Sequence, residues 1–243
     1  MIYGMHAVEA ILRTAPKTVV RLLVQDSRGD HRLLALISMA EKFGVSVKRL
    51  PRSEIDNLLS QDVRHQGVVA EVSELLEYSE QDLKKIIDIE DVLLLILDGV
   101  QDPHNLGACL RSANAMGVHA VIAPKDRAVG MTPTVRKVAC GAAEITPFIA
   151  VTNLSRTMEQ LKDAGIWLVG AAGEAETVLH EIDLKGKVGL IMGAEGKGLR
   201  RLTKDHCDYL ARIPMQGSVS SLNVSVATGI CLYEINRQRD FTN

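Results

Sequence analysis

Aromatic residues are scarce in this chain: one Trp, four Tyr and three Phe among 243 residues. A protein that stacks single-stranded bases along an aromatic platform needs more of them, so shape and phosphate recognition is the better expectation if nucleic acid is bound. Cysteine is also sparse. Cys109, Cys140, Cys207 and Cys231 form no C-x-x-C pair, which excludes a zinc knuckle or a small disulfide framework and leaves buried thiols as the expectation. The longest strongly apolar stretch, Val92–Leu97, has six residues, against the roughly 18 that a membrane span requires. The N-terminus, MIYGMHAVEAIL, lacks the basic start, apolar run and small-residue cleavage site of a secretion signal, so a cytoplasmic location is expected.

Nucleotide motifs are missing too. No G-x-G-x-x-G follows a strand. The nearest approach to a P-loop, GAEGKGL at 193–199, has Gly198 after Lys197 where Ser or Thr is needed. A G-x-S-x-G elbow, an H-E-x-x-H pair and an Asp/His cluster are absent, so lipase-type chemistry and a metal site are not expected.

Charge is unevenly spread. The formal net charge is -2. Residues 1–72 hold ten Lys/Arg against eight Asp/Glu, residues 73–91 two against seven, and residues 92–243 sixteen against fifteen. The acidic excess therefore marks 73–91 as a linker between a domain at 1–72 and a domain at 92–243. Leu83, Ile86 and Ile87 fall at helical spacing, so the linker runs into the first helix of the second domain. Arg21, Arg28, Arg32, Lys48, Arg49, Arg52 and Arg64 give the first domain either a phosphate-binding surface or an ordinary solvated face.

Both domains alternate strand and helix. In the first, strands are predicted at 19–24, 45–50 and 65–72, with helices near 7–11, at 31–44 and from Ser53. Asp30 is a suitable cap for the second helix, and Gly44 its stop. In the second, 91–98 is a continuous apolar run, as a strand buried on both faces should be. Further strands are predicted at 118–124, 166–171, 188–193 and 210–214, and helices at 105–117, 132–144, 153–165 and 221–239. This is a doubly wound α/β pattern, whose ligands sit at the carboxyl ends of strands.

Three strand exits carry polar chemistry. In DGVQDPHNLGACLR (98–111), Asn105 is a candidate helix cap, and Arg111 lies in an apolar neighbourhood where a charge needs a partner. In LIMGAEGKGL (190–199), three glycines surround Glu195 and permit a backbone that curls around a ligand. In IPMQGSVSSLNVS (213–225), a polar loop enters a helix that Ser221 is placed to cap, leaving N–H groups suited to an anion.

Together these segments resemble the three ordered motifs of the SpoU/TrmH branch of SPOUT RNA methyltransferases, across 92–239. YGMHAVEAIL and HQGVVAEV resemble that family's small substrate-binding domain, similar to a ribosomal L30-type module. The resemblance implies an α/β C-terminal SPOUT domain with a parallel sheet and a deep trefoil knot, a small N-terminal α/β domain that binds RNA, and a homodimer. It implies S-adenosyl-L-methionine as methyl donor and a ribose 2'-hydroxyl as acceptor. The likeness is greatest to members acting on a guanosine in the peptidyl-transferase region of 23S rRNA, free or in a large-subunit assembly intermediate. A tRNA methyltransferase of the same family and a non-catalytic rRNA-binding assembly factor are the competing readings.

By resemblance, Arg111 is the catalytic position, and Asn105, Glu195, Ser221 and Asn223 are the other polar motif positions. Asn105 and Glu195 are expected to hold Arg111 or the nucleotide, and Ser221 and Asn223 to orient ribose or base. Gly193, Ile213 and Leu222 match cofactor-binding positions, with Met192, Gly198, Pro214 and Met215 as neighbours. The glycine at 193 is expected to let the cofactor pass close to the chain. His104 is titratable, but the motif does not single it out.

Overall fold

Strand–helix alternation builds two separate sheets in a computed structural model that describes residues 1–59, 65–73 and 78–240. The contacts divide the chain into two units, Met1–Leu76 with Cys140–Ile145, and Glu77–Ala139 with Thr146–Asn243.

In the first unit the elements run β1 (Ile2–Tyr3), α1 (Met5–Thr14), β2 (Val19–Gln25), α2 (His31–Lys42), β3 (Ser46–Leu50), α3 (Arg52–Leu58) and β4 (Val68–Val72). The sheet order is β1-β4-β2-β3. β2 and β3 are parallel, while β4 runs antiparallel to β2 and β1. Asp30 does cap α2, accepting the Leu33 N–H at 3.2 Å, and Gly44 follows the helix with φ +74°. Val8, Ile11 and Leu12 of α1 and Leu33, Leu36 and Ala40 of α2 bury one face of the sheet; Ile55 of α3 covers Leu23, Leu50 and Val69 on the other. Before β4, the buried His65 accepts the Gly67 N–H on Nδ1 and therefore donates from Nε2 to Asp56, at 2.8 Å. Of the basic side chains in this unit, Arg21 pairs with Glu71 and Arg28 with Asp30, so part of the positive surface is neutralised locally. Arg64 lies outside the described residues.

The second unit runs α4 (Glu80–Ile86), β5 (Leu93–Asp98), α5 (Pro103–Ala115), β6 (Ala120–Pro124), α6 (Pro133–Ala139), β7 (Phe148–Val151), α7 (Leu154–Asp163), β8 (Trp167–Ala171), β9 (Val188–Gly193), α8 (Arg201–His206), β10 (Tyr209–Ala211) and α9 (Val224–Asp240). All neighbouring strands are parallel, in the order β10-β8-β9-β5-β6-β7. Every residue of β5 is buried, as its unbroken apolar run requires. The winding reverses beside β5, with β6 on one side and β9 on the other, which is where such sheets open a ligand crevice. Part of the acidic stretch is integral to this unit: Leu83 of α4 is buried in its core.

Two helix expectations need correction. The pattern at 132–144 yields only α6, capped by Thr132 Oγ1 on Val135 N–H at 3.3 Å. Cys140 and Gly141 then take φ +52° and +93°, which no α-helix continues through. The terminal helix begins at Val224, not near Ser221. Asn223 is its cap, accepting the Ser225 N–H at 2.9 Å.

Candidate active site

The carboxyl ends of β5, β9 and β10 each release one of the polar segments. After β5, Asp102 rather than Asn105 caps α5: its carboxylate accepts the His104 N–H at 2.8 Å, and Pro103 occupies the first helical position. Asn105 is thereby moved into the first turn, where it is buried. Gly107 lets α6 pack close, since a Cβ there would lie 2.7 Å from Val138.

The segment after β9 is a closed ring. Ala194 and Gly198 exchange backbone hydrogen bonds at 3.2 and 2.9 Å, leaving Glu195, Gly196 and Lys197 at the tip. Gly196 and Gly198 have φ of +75° and +64°. Gly193 is glycine for a reason internal to this ring: a Cβ would sit 2.2 Å from the Gly198 carbonyl carbon. The closure of the ring therefore requires glycine at 193 whether or not a cofactor lies against it.

The segment after β10, residues 213–222, enters neither helix nor strand. Among the described residues it makes no backbone–backbone hydrogen bond. Ile213, Met215 and Leu222 are half-buried, whereas Pro214 and Ser221 are exposed. Met192, next to last in β9, is buried.

Side chains from all three exits meet. Asn105 Nδ2 donates to Glu195 Oε2 at 3.0 Å. Asn223 Nδ2 donates to Asn105 Oδ1 at 2.9 Å and to Glu195 Oε1 at 3.5 Å. Asn223 Oδ1 accepts from the Ser225 N–H and hydroxyl. Both amides are thus engaged within the protein; Asn105 is buried, Asn223 and Glu195 are exposed, and Glu195 has acceptor capacity left over. Arg111, two turns along α5, is exposed rather than enclosed by the apolar neighbours the sequence suggested. Ser221 lies two residues before Asn223, outside the network that joins Asn223, Asn105 and Glu195. His104 is exposed at the start of α5.

One pair of residues carried no assigned role in the sequence. Asp98, the last residue of β5, is buried and accepts the Arg200 N–H at 2.9 Å and its guanidinium Nε at 2.5 Å. The available signal was a lone carboxylate ending an otherwise apolar strand.

The thiols are not part of this chemistry. Burial pushes Cys109 up to about 11 and Cys207 and Cys231 up to about 12, with Cys109 Sγ 3.6 Å from Thr228 Oγ1 between α5 and α9. Cys140 is exposed, contrary to the expectation of four buried thiols. No group of three metal-ligating side chains occurs among the described residues.

Residues 92–233 match the SpoU rRNA Methylase family, and residues 1–78 match the RNA 2'-O ribose methyltransferase substrate binding family. The chain is 59% identical to the 23S rRNA (guanosine-2'-O-)-methyltransferase RlmB of Coxiella burnetii, over 98% of this chain and 96% of that one. It is 55% identical to RlmB of Escherichia coli K12, with 98% of each covered. Among solved structures it superposes on the SpoU methyltransferase AviRb from Streptomyces viridochromogenes in complex with AdoMet, with a TM-score of 0.78 and 26% identity over 98% of this chain and 89% of that chain. From the parallel sheet, the three converging exits and these matches together, the chain belongs to the SpoU rRNA methylase family.

Proposed function

We propose that the protein transfers a methyl group from S-adenosyl-L-methionine to the ribose 2'-hydroxyl of a guanosine in 23S rRNA during ribosome assembly in the cytoplasm. The observation that carries this reading is the Asn105–Glu195–Asn223 network, which joins all three strand exits at one place. The curated relatives named above, which align along nearly the whole chain, support the choice of 23S rRNA and guanosine.

The residues present suit the cofactor. The 213–222 backbone offers donors and acceptors for an adenine edge and amino-acid moiety, beside the half-buried side chains of Ile213, Met215 and Leu222. Gly193, Met192, Gly198 and Pro214 complete this proposed cofactor set. When bound, S-adenosyl-L-methionine supplies a methyl carbon already activated by its sulfonium charge. The protein's task is then alignment and stabilisation of the attacking oxygen.

Arg111 is the catalytic residue in this reading. Its guanidinium serves by charge: it stabilises the negative charge that builds on the 2'-oxygen as that oxygen attacks the methyl carbon, and grips the flanking phosphate. Glu195 presents its spare acceptor capacity to the nucleotide. Asn105 and Asn223 hold Glu195 in place, and Ser221 lies exposed beside them for contact with the ribose. The domain at residues 1–72 serves to bind the RNA, with the acidic segment 73–91 leading into the methyltransferase domain at 92–243.

Two features of assembly belong to the same reading. β10 is the edge strand, yet the chain leaving it places Asn223 against Asn105, beyond β8 and β9. Such a crossing of the sheet's carboxyl edge is what a trefoil knot demands. Val226, Ile230 and Tyr233 form an exposed apolar stripe at i, i+4 and i+7 on α9, suited to a second copy of the chain in a homodimer.

Label transfer from methyl-labelled S-adenosyl-L-methionine tests the reaction in vitro. Incorporation into 23S rRNA or a large-subunit precursor is expected. Incorporation into tRNA instead would reassign the substrate, and cofactor binding without transfer to any RNA would indicate an assembly factor.

A further inference from the structure

The ring that carries Glu195 is stiff in itself. Its legs are joined by the Ala194–Gly198 bonds, and the Gly193 backbone touches that of Gly198 and Leu199. Its orientation must therefore be set where it meets the sheet. Asp98 of β5 lies directly opposite Gly193 in the parallel ladder, at the point where the ring begins. The same Asp98 carboxylate accepts both the backbone N–H and the guanidinium of Arg200, at the point where the ring ends. Five residues beyond Asp98 the chain enters α5, which carries Asn105 and Arg111. Asp98 thus ties both legs of the β9 ring to the strand that launches α5, one through its backbone pairing with Gly193 and the other through its carboxylate on Arg200.

The way this tie is made is informative. The Asp98 side chain has no exposed surface, whereas the Arg200 side chain is 46% exposed. Burying a carboxylate consumes much of what the ion pair returns, and a well-packed apolar pair would hold a loop at less cost. What a carboxylate offers instead is two acceptors at a fixed angle, which set direction as well as proximity.

We propose that Asp98 is a positioning residue for the methyl transfer, acting through Arg200 to hold Glu195 against Asn105. The proposal rests on the reading of Glu195 as part of the active site. Replacing Asp98 by Asn keeps the shape but turns one acceptor into a donor, so either the Arg200 N–H or its guanidinium faces an N–H group.

The test compares methyl transfer by the full-length protein and its D98N, E195Q and D98N/E195Q variants, with thermal unfolding measured on each. D98N is expected to lower kcat about tenfold to a hundredfold, as small displacements of an aligned site do, with KM for RNA changed less than about twofold. In the E195Q background the same substitution is expected to cost less than about twofold, because the group it positions is already gone. Equal losses in both backgrounds, tracking a lowered melting temperature, would mean Asp98 only supports the fold and would overturn the proposal. An E195Q variant with wild-type kcat would instead remove Glu195 from the active site, and the role of Asp98 would fall with it. If D98N does not fold, R200Q changes the exposed partner alone. A kcat loss in R200Q that disappears beside E195Q supports the proposal, and a loss that persists overturns it.

Discussion

Single residues in this site divide into those that hold and those that act, and hydrogen-bond accounting separates them. Both amides are spent inside the protein, Asn105 on Glu195 and Asn223, and Asn223 on Asn105, Glu195 and the start of α9. Arg111 is exposed on the same helix as Asn105. Arg111→Ala is expected to lower methyl transfer about a hundredfold to a thousandfold, the range for losing one donor to a developing oxyanion. Binding of the cofactor, measured by calorimetry, should change less than about twofold. Near-normal turnover would remove Arg111 from catalysis. The thiols give an independent check. With Cys109, Cys207 and Cys231 held at about 11 to 12, little thiolate forms at them near pH 8. A thiol reagent on the folded protein should modify Cys140 first and the other three only on unfolding, as read by peptide mass mapping. The residue types of the site were legible in the sequence; their partners were not. Asp102 and Asn105 are both acceptable caps by type, and Pro103 at the first helical position favours Asp102.

At the level of elements, length decided what the sequence disclosed. The apolar run of β5 and the capped pattern of α2 carry enough residues to show their period. β1 has two residues, β7 four and α8 six, too few to reveal one, and all three were missed. β1 and β7 gain their stability from the strands they pair with, Ile2 opposite Ala70 and Phe148 opposite Val121. The reason for Gly193 was likewise nonlocal, since the group a side chain would strike lies five residues away in a closed ring. Gly193→Ala should therefore force the ring off the sheet, lower the melting temperature and abolish transfer. Gly173→Ala, where a Cβ meets nothing within 4 Å, should do neither. Asp30→Ala removes the cap of α2 and should lower the midpoint of denaturant unfolding, with no effect on cofactor affinity.

At the scale of the whole molecule, hydrophobic cores form separately in the two units, one under α1 and α2 and another around β5, with the polar motif segments emerging from the second unit. In the sequence an acidic stretch at 73–91 lies between two near-neutral ones, and α4, inside that stretch, contributes Leu83 to the second core. The exposed apolar face of α9 was not visible in the sequence. The α9 pattern of Val226, Ile230 and Tyr233 becomes an exposed stripe only once Cys231, Leu232 and Ile235 are seen to take the buried face. Ile230→Asp should shift the protein toward monomer in sedimentation experiments, because a charge in an apolar contact is left unpaired. A homodimer unchanged by this substitution would place the interface elsewhere. The central claim concerns the reaction itself. Its most direct test is to map ribose methylation in 23S rRNA from cells lacking this gene, complemented with the wild-type chain or with Arg111→Ala. The account predicts one 2'-O-methylguanosine in the peptidyl-transferase region, absent without the gene, restored by the wild type and not by the variant. An unchanged 23S map, or a methyl group lost from tRNA instead, would contradict it.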